Sequence, residues 1–289
     1  MNLRLRRASR GDGIATFVCD LPPQPEASLV SYRTRTGALL RVAGNAAGAY
    51  DREHHDVLLP PSNETRALSL EVELEALPTN GLPSGPGVMW WLLNALSHPR
   101  PQQFVVVTAA RDSVLASPSN VLVSPSNVMV SLSNHPERCV EDAPVEGTGA
   151  GLPLIGHSHL DVAWLWTYEQ TRRKAQRTFA IACDLFERDP SFVFVQSQPQ
   201  LYRFIEEDDP AFFERVRGEV RAQRLDPEVA ALWVESDCNI PSGESLLRQM
   251  LLAHEYCRQR FALSPSIAWL PDSFGFANTL PDLLAHAGI

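Results

Sequence analysis

A chain of 289 residues with 44% hydrophobic and 20% charged side chains has the composition of a globular protein, and its length favours two structural units over one. The formal net charge of −9 argues against nucleic acid or an anionic membrane surface as main partner, since either calls for clustered Lys and Arg; a neutral ligand fits better. Five scattered cysteines, Cys19, Cys139, Cys183, Cys238 and Cys257, form no Cys-x-x-Cys pair and are odd in number, which argues against a disulfide framework and a cysteine zinc site.

Reduced thiols of that kind suit a cytoplasmic protein. The start, Met1 to Arg7, is basic but lacks the apolar stretch of a signal peptide, and no run approaches the ~18 apolar residues of a membrane span. The first part then reads as β structure. Ala38–Val42, Val57–Leu59 and the strictly alternating Leu68–Leu74 are short strands. Turn residues separate them: Gly44-Asn45, Pro60-Pro61, Thr79-Asn80-Gly81 and Pro83 to Gly87. Strands at this spacing suggest a small sandwich. His54 and His55 lie in Asp51-Arg52-Glu53-His54-His55-Asp56 and read as a polar loop before a strand, with a ligand role as the alternative.

A seven-residue repeat follows: Ser117-Pro118-Ser119-Asn120-Val121-Leu122-Val123, its near copy Ser124 to Val130, and Ser131-Leu132-Ser133-Asn134. Proline breaks helix interiors, so this is no coiled-coil heptad, and the copies are too short for a common solenoid unit. It reads as a low-complexity insertion without chemistry of its own. Val145 to Gly151 is a Gly-rich linker into a second unit.

From Leu152 onward, strands alternate with helices. Leu152 to Ile155 reads as a short buried strand leading into Gly156-His157-Ser158-His159-Leu160-Asp161. Side chains two apart share a face of an extended backbone, so His157, His159 and Asp161 point the same way, as a divalent-metal site needs. A pair of ordinary surface or core histidines is the competing reading. Ala175, Phe179, Ala182, Cys183 and Phe186 recur at helical spacing up to Asp189-Pro190. Phe192–Val195 is the next strand, and Pro199 opens a helix. Val229–Val234 is a third strand. Ser242 caps a helix with an apolar face of Leu246, Leu247, Met250, Leu251, Cys257 and Phe261. Ile267–Leu270 is a fourth strand, ending in Pro271-Asp272-Ser273-Phe274-Gly275-Phe276. Polar residues thus collect just after strands, where β/α barrels and open α/β sheets place their sites.

Six blocks carry a resemblance. Gly156-His157-Ser158-His159-Leu160-Asp161-Val162-Ala163-Trp164, Thr171-Arg172-Arg173-Lys174, Ser197-Gln198-Pro199-Gln200-Leu201-Tyr202, Trp233-Val234-Glu235-Ser236-Asp237-Cys238-Asn239, Pro241-Ser242-Gly243-Glu244-Ser245 and Trp269 to Phe276 resemble the opening half of the catalytic domain of glycoside hydrolase family 38, the zinc-dependent α-mannosidases. A weaker likeness links Leu39-Leu40-Arg41-Val42 and Gly48 to His54 with the β domain that precedes the barrel in bacterial members. The resemblance implies an α/β fold, an incomplete β/α barrel of the family 38 type preceded by a small all-β, sandwich-like domain. Its boundaries are 1–112 for the β domain, 113–151 for repeat and linker, and 152–289 for the barrel portion.

The resemblance also implies roles. His159 and Asp161 match zinc ligands, and Asp272 matches a residue that is both zinc ligand and nucleophile. Trp164 and Phe274 match aromatic positions lining the sugar subsite. Asp237 contacts substrate hydroxyls or serves as a structural cap, His157 stands behind the ligands, and Trp166 reads as packing at the barrel mouth. The mechanism implied is retaining hydrolysis of α-mannosides through a covalent mannosyl-aspartate, with zinc as Lewis acid and template. Ala230-Ala231 and Ser236 depart from the usual pattern. No motif before Ile289 matches the family's acid/base carboxylate or its remaining zinc histidine, so the chain is expected to be a truncated portion, inactive by itself. Two alternatives are a non-catalytic sugar-binding or inert fragment and a metal-dependent amidohydrolase, which would need further histidines on later strands.

Overall fold

The computed structural model describes residues 1–11, 13–34, 36–51, 54–74, 104–109, 155–164 and 166–289. The turns at 79–87, the Ser-Pro-Ser-Asn repeat and the Gly-rich linker lie outside them. The chain divides into two units, Met1–Ala116 and Ser117–Ile289.

The first unit is antiparallel β. Its described strands are β1 (Asn2–Arg4), β2 (Arg6–Gly11), β3 (Ile14–Leu21), β4 (Ser28–Ser31), β5 (Ala38–Val42), β6 (Asn45–Tyr50), β7 (Asp56–Leu59), β8 (Arg66–Glu73) and β9 (Phe104–Ala109). One sheet runs β1-β9-β4-β7 and the other β2-β3-β8-β5-β6. Alternation decides which face is inside: Leu68, Leu70 and Val72 of β8, Val105 and Val107 of β9, and Val57 and Leu59 of β7 all enter one core. Both sheets contribute to that core, so the two pack face to face. Tyr50 fastens them, its hydroxyl donating to the Val30 carbonyl at 2.9 Å from the opposite sheet. The β5–β6 hairpin turns at Ala43-Gly44, with φ of 50° and 84°. Two positive φ values are what a tight hairpin matching the strand twist requires. Asn45, expected in the turn, is already paired with Val42.

The second unit contains β10 (Gly156–His157), α1 (Tyr168–Arg188), β11 (Phe194–Val195), α2 (Pro199–Asp208), α3 (Pro210–Arg221), β12 (Leu225–Asp226), α4 (Gly243–Phe261) and α5 (Leu280–His286). Strands β10, β11 and β12 pair side by side and parallel, as helical crossovers between them require. Helix α1 starts on a capping box, in which the Gln170 N–H donates to Thr167 Oγ1 at 3.2 Å and the Thr167 N–H donates to Gln170 Oε1 at 2.8 Å. Its buried face, Ala175, Phe179, Ala182, Cys183 and Phe186, is the one its spacing implied. Phe179 packs on Tyr202 of α2 at 4.8 Å between ring centroids, and Tyr202 on Phe261 at 5.1 Å. Removing each such side chain from water contributes about 1.5–3 kcal/mol.

Four expectations are corrected and one, the helix opened by Pro199, is extended. Of the expected strand over Leu152 to Ile155, Leu152 to Leu154 lie outside the described residues, Ile155 is exposed, and the described strand is Gly156–His157. The segment after Pro199 is two helices, because Asp209 caps α3 through the Phe212 N–H at 3.0 Å and Pro210 cannot continue α2. Val229–Val234 is not a strand; the third strand is β12, immediately before it. The stretch is apolar because Val229 to Leu232 are buried, while its backbone is satisfied by a turn bond from the Ala230 N–H to the Pro227 carbonyl and by Gln249 Oε1 accepting from the Val234 N–H. Ile267–Leu270 likewise forms only an isolated antiparallel bridge, Ala268 with Ala230. On α4, Leu251 is 68% exposed, and the buried positions are Leu246, Met250, Ala253, Tyr256 and Cys257.

Candidate active site

His159 lies two residues beyond the end of β10, Glu235 follows the buried turn after β12, and Asp272 sits in the irregular segment ahead of α5. The fold gathers them. One ligand atom from each of His159, Asp161 and Asp272 lies within 4.8 Å of the others.

His159 is held from behind. Its Nδ1 hydrogen-bonds Oε2 of Glu235, whose side chain is only 5% exposed. The other Glu235 oxygen accepts from Ser197 Oγ at 3.1 Å. With Nδ1 engaged by Glu235, Nε2 is the ring nitrogen left for the other side. That atom is buried and has no hydrogen-bond partner. It faces Asp161 Oδ1 at 3.4 Å and Asp272 Oδ2 at 3.3 Å. Two ligands about 2.0–2.1 Å from a tetrahedral zinc stand roughly 3.3–3.4 Å apart, so these separations suit a shared ion. One imidazole nitrogen and two carboxylates are also the N/O donor set that zinc accepts. The residues present therefore fit a divalent metal.

The local field agrees. The His159 imidazole is pushed up to about 9, first by its bond to Glu235 and then by the charges of Glu235, Asp161 and Asp272, with burial opposing. A field that favours imidazolium favours a divalent cation for the same reason. His157 moves the other way, down to about 4, mainly because it is buried and secondarily because His159 lies nearby. Its Nε2 meets Ser197 Oγ at 3.4 Å, behind Glu235, and its ring packs on Trp269 at 5.5 Å. His157 thus stands apart from the cluster although it shares the extended segment with His159.

Around the cluster, Asp272 is more than half exposed, Trp164 is 64% exposed and Phe274 is 86% exposed. Such large exposed rings offer flat apolar faces to a ligand. Trp164 meets Trp166 edge to face at 5.5 Å, and the Lys174 ammonium covers the Trp166 ring at 4.4 Å. The Trp166 indole N–H donates to Thr171 Oγ1 at 3.0 Å, so Trp166 is tied to the start of α1. Asp237 is committed locally: its Oδ1 accepts from the Asn239 N–H at 2.7 Å and the Ile240 N–H at 3.0 Å, which holds its carboxyl below the usual range. Glu235 is the residue that sequence reasoning passed over. It stood within a quoted motif, but nothing local showed which histidine it would meet.

Parallel strands with acidic and aromatic groups beyond their ends are common to many α/β enzymes, and comparison with known proteins narrows the class: most of the second unit is similar to a glycoside hydrolase domain. Residues 151–289 match the glycosyl hydrolases family 38 N-terminal domain. It is 42% identical over 135 residues to an α-mannosidase of Saccharomyces cerevisiae, covering 47% of this chain and 12% of that protein. It is 38% identical over 138 residues to human α-mannosidase 2C1, covering 48% of this chain and 13% of that one. The chain thus spans about an eighth of the length of these relatives. A solved α-mannosidase from Enterococcus faecalis V583 aligns over 46% of this chain and 15% of its own, at 26% identity and a TM-score of 0.43.

Proposed function

We propose that the second unit carries the nucleophile and metal-binding part of a retaining α-mannosidase centre, and that β10, β11, β12 and their helices are the opening units of a β/α barrel. The observation that carries the reading is the buried, unpartnered Nε2 of His159, set 3.3–3.4 Å from two carboxylates of which one is largely exposed. His159, Asp161 and Asp272 would hold zinc. Bound there, zinc supplies Lewis-acid polarisation and a template for adjacent sugar hydroxyls.

The chain's own groups supply the nucleophile and the surface for the sugar. Asp272 is a carboxylate open to an incoming ligand, so it is placed to attack the anomeric carbon and form a glycosyl ester while the bond to the leaving oxygen breaks. A second carboxyl group, about 5–5.5 Å from the nucleophile in retaining enzymes, protonates that oxygen and then takes a proton from the water that cleaves the ester. Trp164 and Phe274 present ring faces on which the apolar side of a pyranose can pack. Asp237 has one oxygen engaged in its turn and is assigned the remaining contact, to sugar hydroxyls. A reducing, cytoplasmic setting is supported by Cys19, Cys183, Cys238 and Cys257, all free and buried among the described residues. No helix among the described residues is long and apolar enough to cross a membrane.

The test joins binding and stereochemistry. Zinc titrated into the protein should bind at one site that Asp272→Asn weakens at least tenfold. An enzyme that carries this segment within a complete catalytic domain, followed by NMR on an aryl α-mannoside, should release α-mannose first. Initial β-mannose would refute retention, and an unchanged zinc isotherm in Asp272→Asn would refute the metal assignment.

A further inference from the structure

Besides Asp161 and Asp272, the same centre holds a third acidic residue, which lies off the ligand side of the cluster. We propose that Glu235 is a positioning residue, which selects the His159 tautomer with a proton on Nδ1 and so dedicates Nε2 to the metal. The proposal rests on the metal reading above. Its basis is the division of the imidazole between two carboxylate environments: Glu235 on Nδ1, Asp161 and Asp272 facing Nε2.

Both Glu235 oxygens are spoken for, one by the ring and one by the Ser197 hydroxyl at 3.1 Å, so neither is free to join the ligand set. The residue is also fixed along the chain. Its N–H donates to Gln198 Oε1 at 3.2 Å, and the amide nitrogen of the same Gln198 donates to the Leu160 carbonyl at 2.8 Å. Leu160 is the neighbour of His159, so one buried glutamine sets the spacing between the carboxylate and the ring it holds. Gln198 and Ser197 are 1% and 3% exposed, which makes the clamp dry. In such a setting a hydrogen bond to a charged acceptor is short, strong and directional. The physical effect is twofold: the ring is oriented with its free lone pair on the metal side, and the negative charge behind it raises the basicity of that lone pair.

The experiment uses the full 289-residue chain and zinc chloride as probe. Isothermal titration of wild type, Glu235→Ala, Glu235→Gln and Asp272→Asn is paired with long-range 1H–15N spectra of the imidazole nitrogens. Zinc should shift the Nε2 resonance of His159 and leave Nδ1 protonated. Loss of such an outer partner commonly weakens metal binding about 10–100-fold, and Glu235→Ala should fall in that range. Glu235→Gln keeps an acceptor of the same shape without the charge; it should keep zinc on Nε2 with a smaller loss. Because it refills the buried space, it reports even if the alanine variant does not fold. Glu235→Ala within twofold of wild type, or zinc on Nδ1 in the wild type, would overturn the proposal while an Asp272→Asn loss left the metal site standing. If Asp272→Asn also binds as wild type does, the metal reading and this proposal fall together.

Discussion

Gly275 lies three residues after Asp272 with φ of +119°, outside the region that L side chains adopt readily. Replacing it with alanine adds two separable penalties. A Cβ there would lie 2.8 Å from Asn239 Nδ2, the far end of a flexible and exposed side chain that can swing aside. The backbone cannot swing aside so easily, and a non-glycine residue held in such a region costs of order 1–3 kcal/mol. Strain should therefore dominate over the clash. The affected structure is the pairing of Cys238 with Phe276 and the bond from the Ala277 N–H to the Cys238 carbonyl at 3.2 Å, which tie the Asp272 segment to the one following Glu235. At about 1.4 kcal/mol per factor of ten, hydrogen exchange at Ala277 should accelerate roughly 5- to 150-fold in Gly275→Ala. The assay is exchange followed by mass spectrometry on the peptide spanning Ala277, for Gly275→Ala, Asn239→Ala and the double variant. The double variant should exchange as fast as Gly275→Ala. Restoration of protection on removing the Asn239 side chain would refute backbone strain as the cause, and unchanged exchange in Gly275→Ala would refute the need for glycine altogether.

Two further outcomes are expected. In the β unit, a Cβ on Gly48 of β6 would meet the two methyls of buried Val57 on β7 at 2.6 and 2.7 Å, so Gly48→Ala should cost about 1–3 kcal/mol of urea stability. Val57→Ala should relieve it, leaving the double variant more stable than the sum of the singles implies; strict additivity in the cycle would count against the close approach. Burial raises the thiols, Cys19 to about 11 and Cys183 and Cys257 to about 12, with Cys238 raised as well. At pH 8 a thiol of pKa about 11 is ionised to roughly one part in a thousand, against about a quarter for a free cysteine near 8.5. Iodoacetamide labelling mapped by peptide should be slow at all four and, at Cys19, keep rising tenfold per pH unit after an exposed thiol has levelled off. Native-state labelling of Cys19 at the free-thiol rate would contradict this.

What could be read from the sequence was what depends on neighbours along the chain. Period-two spacing put His159 and Asp161 on one side because extended backbone alternates whatever it packs against. The helix start at Ser242 was legible because a capping side chain bonds its own first turn. The break between α2 and α3 had the same kind of signal, Asp209 followed by Pro210, and was overlooked in an otherwise periodic stretch. Val229–Val234 was misread for a different reason. Burial selects apolar residues in a strand and in a buried irregular segment alike, and only the Pro227 carbonyl and Gln249 Oε1, which accept from the Ala230 and Val234 N–H groups, show that its backbone bonds go elsewhere. Glu235 was invisible as a partner of His159, since 76 positions separate them.

These observations bear on how an irregular backbone can hold a precise site. The segments carrying Glu235 and Asp272 lie outside regular strands, so no ladder of backbone hydrogen bonds sets their spacing. Side chains take over that duty. Gln198 joins the Leu160 carbonyl to the Glu235 N–H, Gln249 accepts from the Val234 N–H, and Asp237 gathers the Asn239 and Ile240 N–H groups. Each of the glutamine bonds satisfies a backbone group that would cost about 1–3 kcal/mol if buried and unpaired, which is comparable to what a strand bond would have secured. The difference lies in direction: a ladder constrains a segment along its length, whereas a glutamine amide reaches from one segment to two others and fixes all three together. His159, Glu235 and, through the Cys238–Phe276 pairing, Asp272 are placed in this way. The polar residues buried beneath the cluster therefore belong to the site as much as the groups that face its opening.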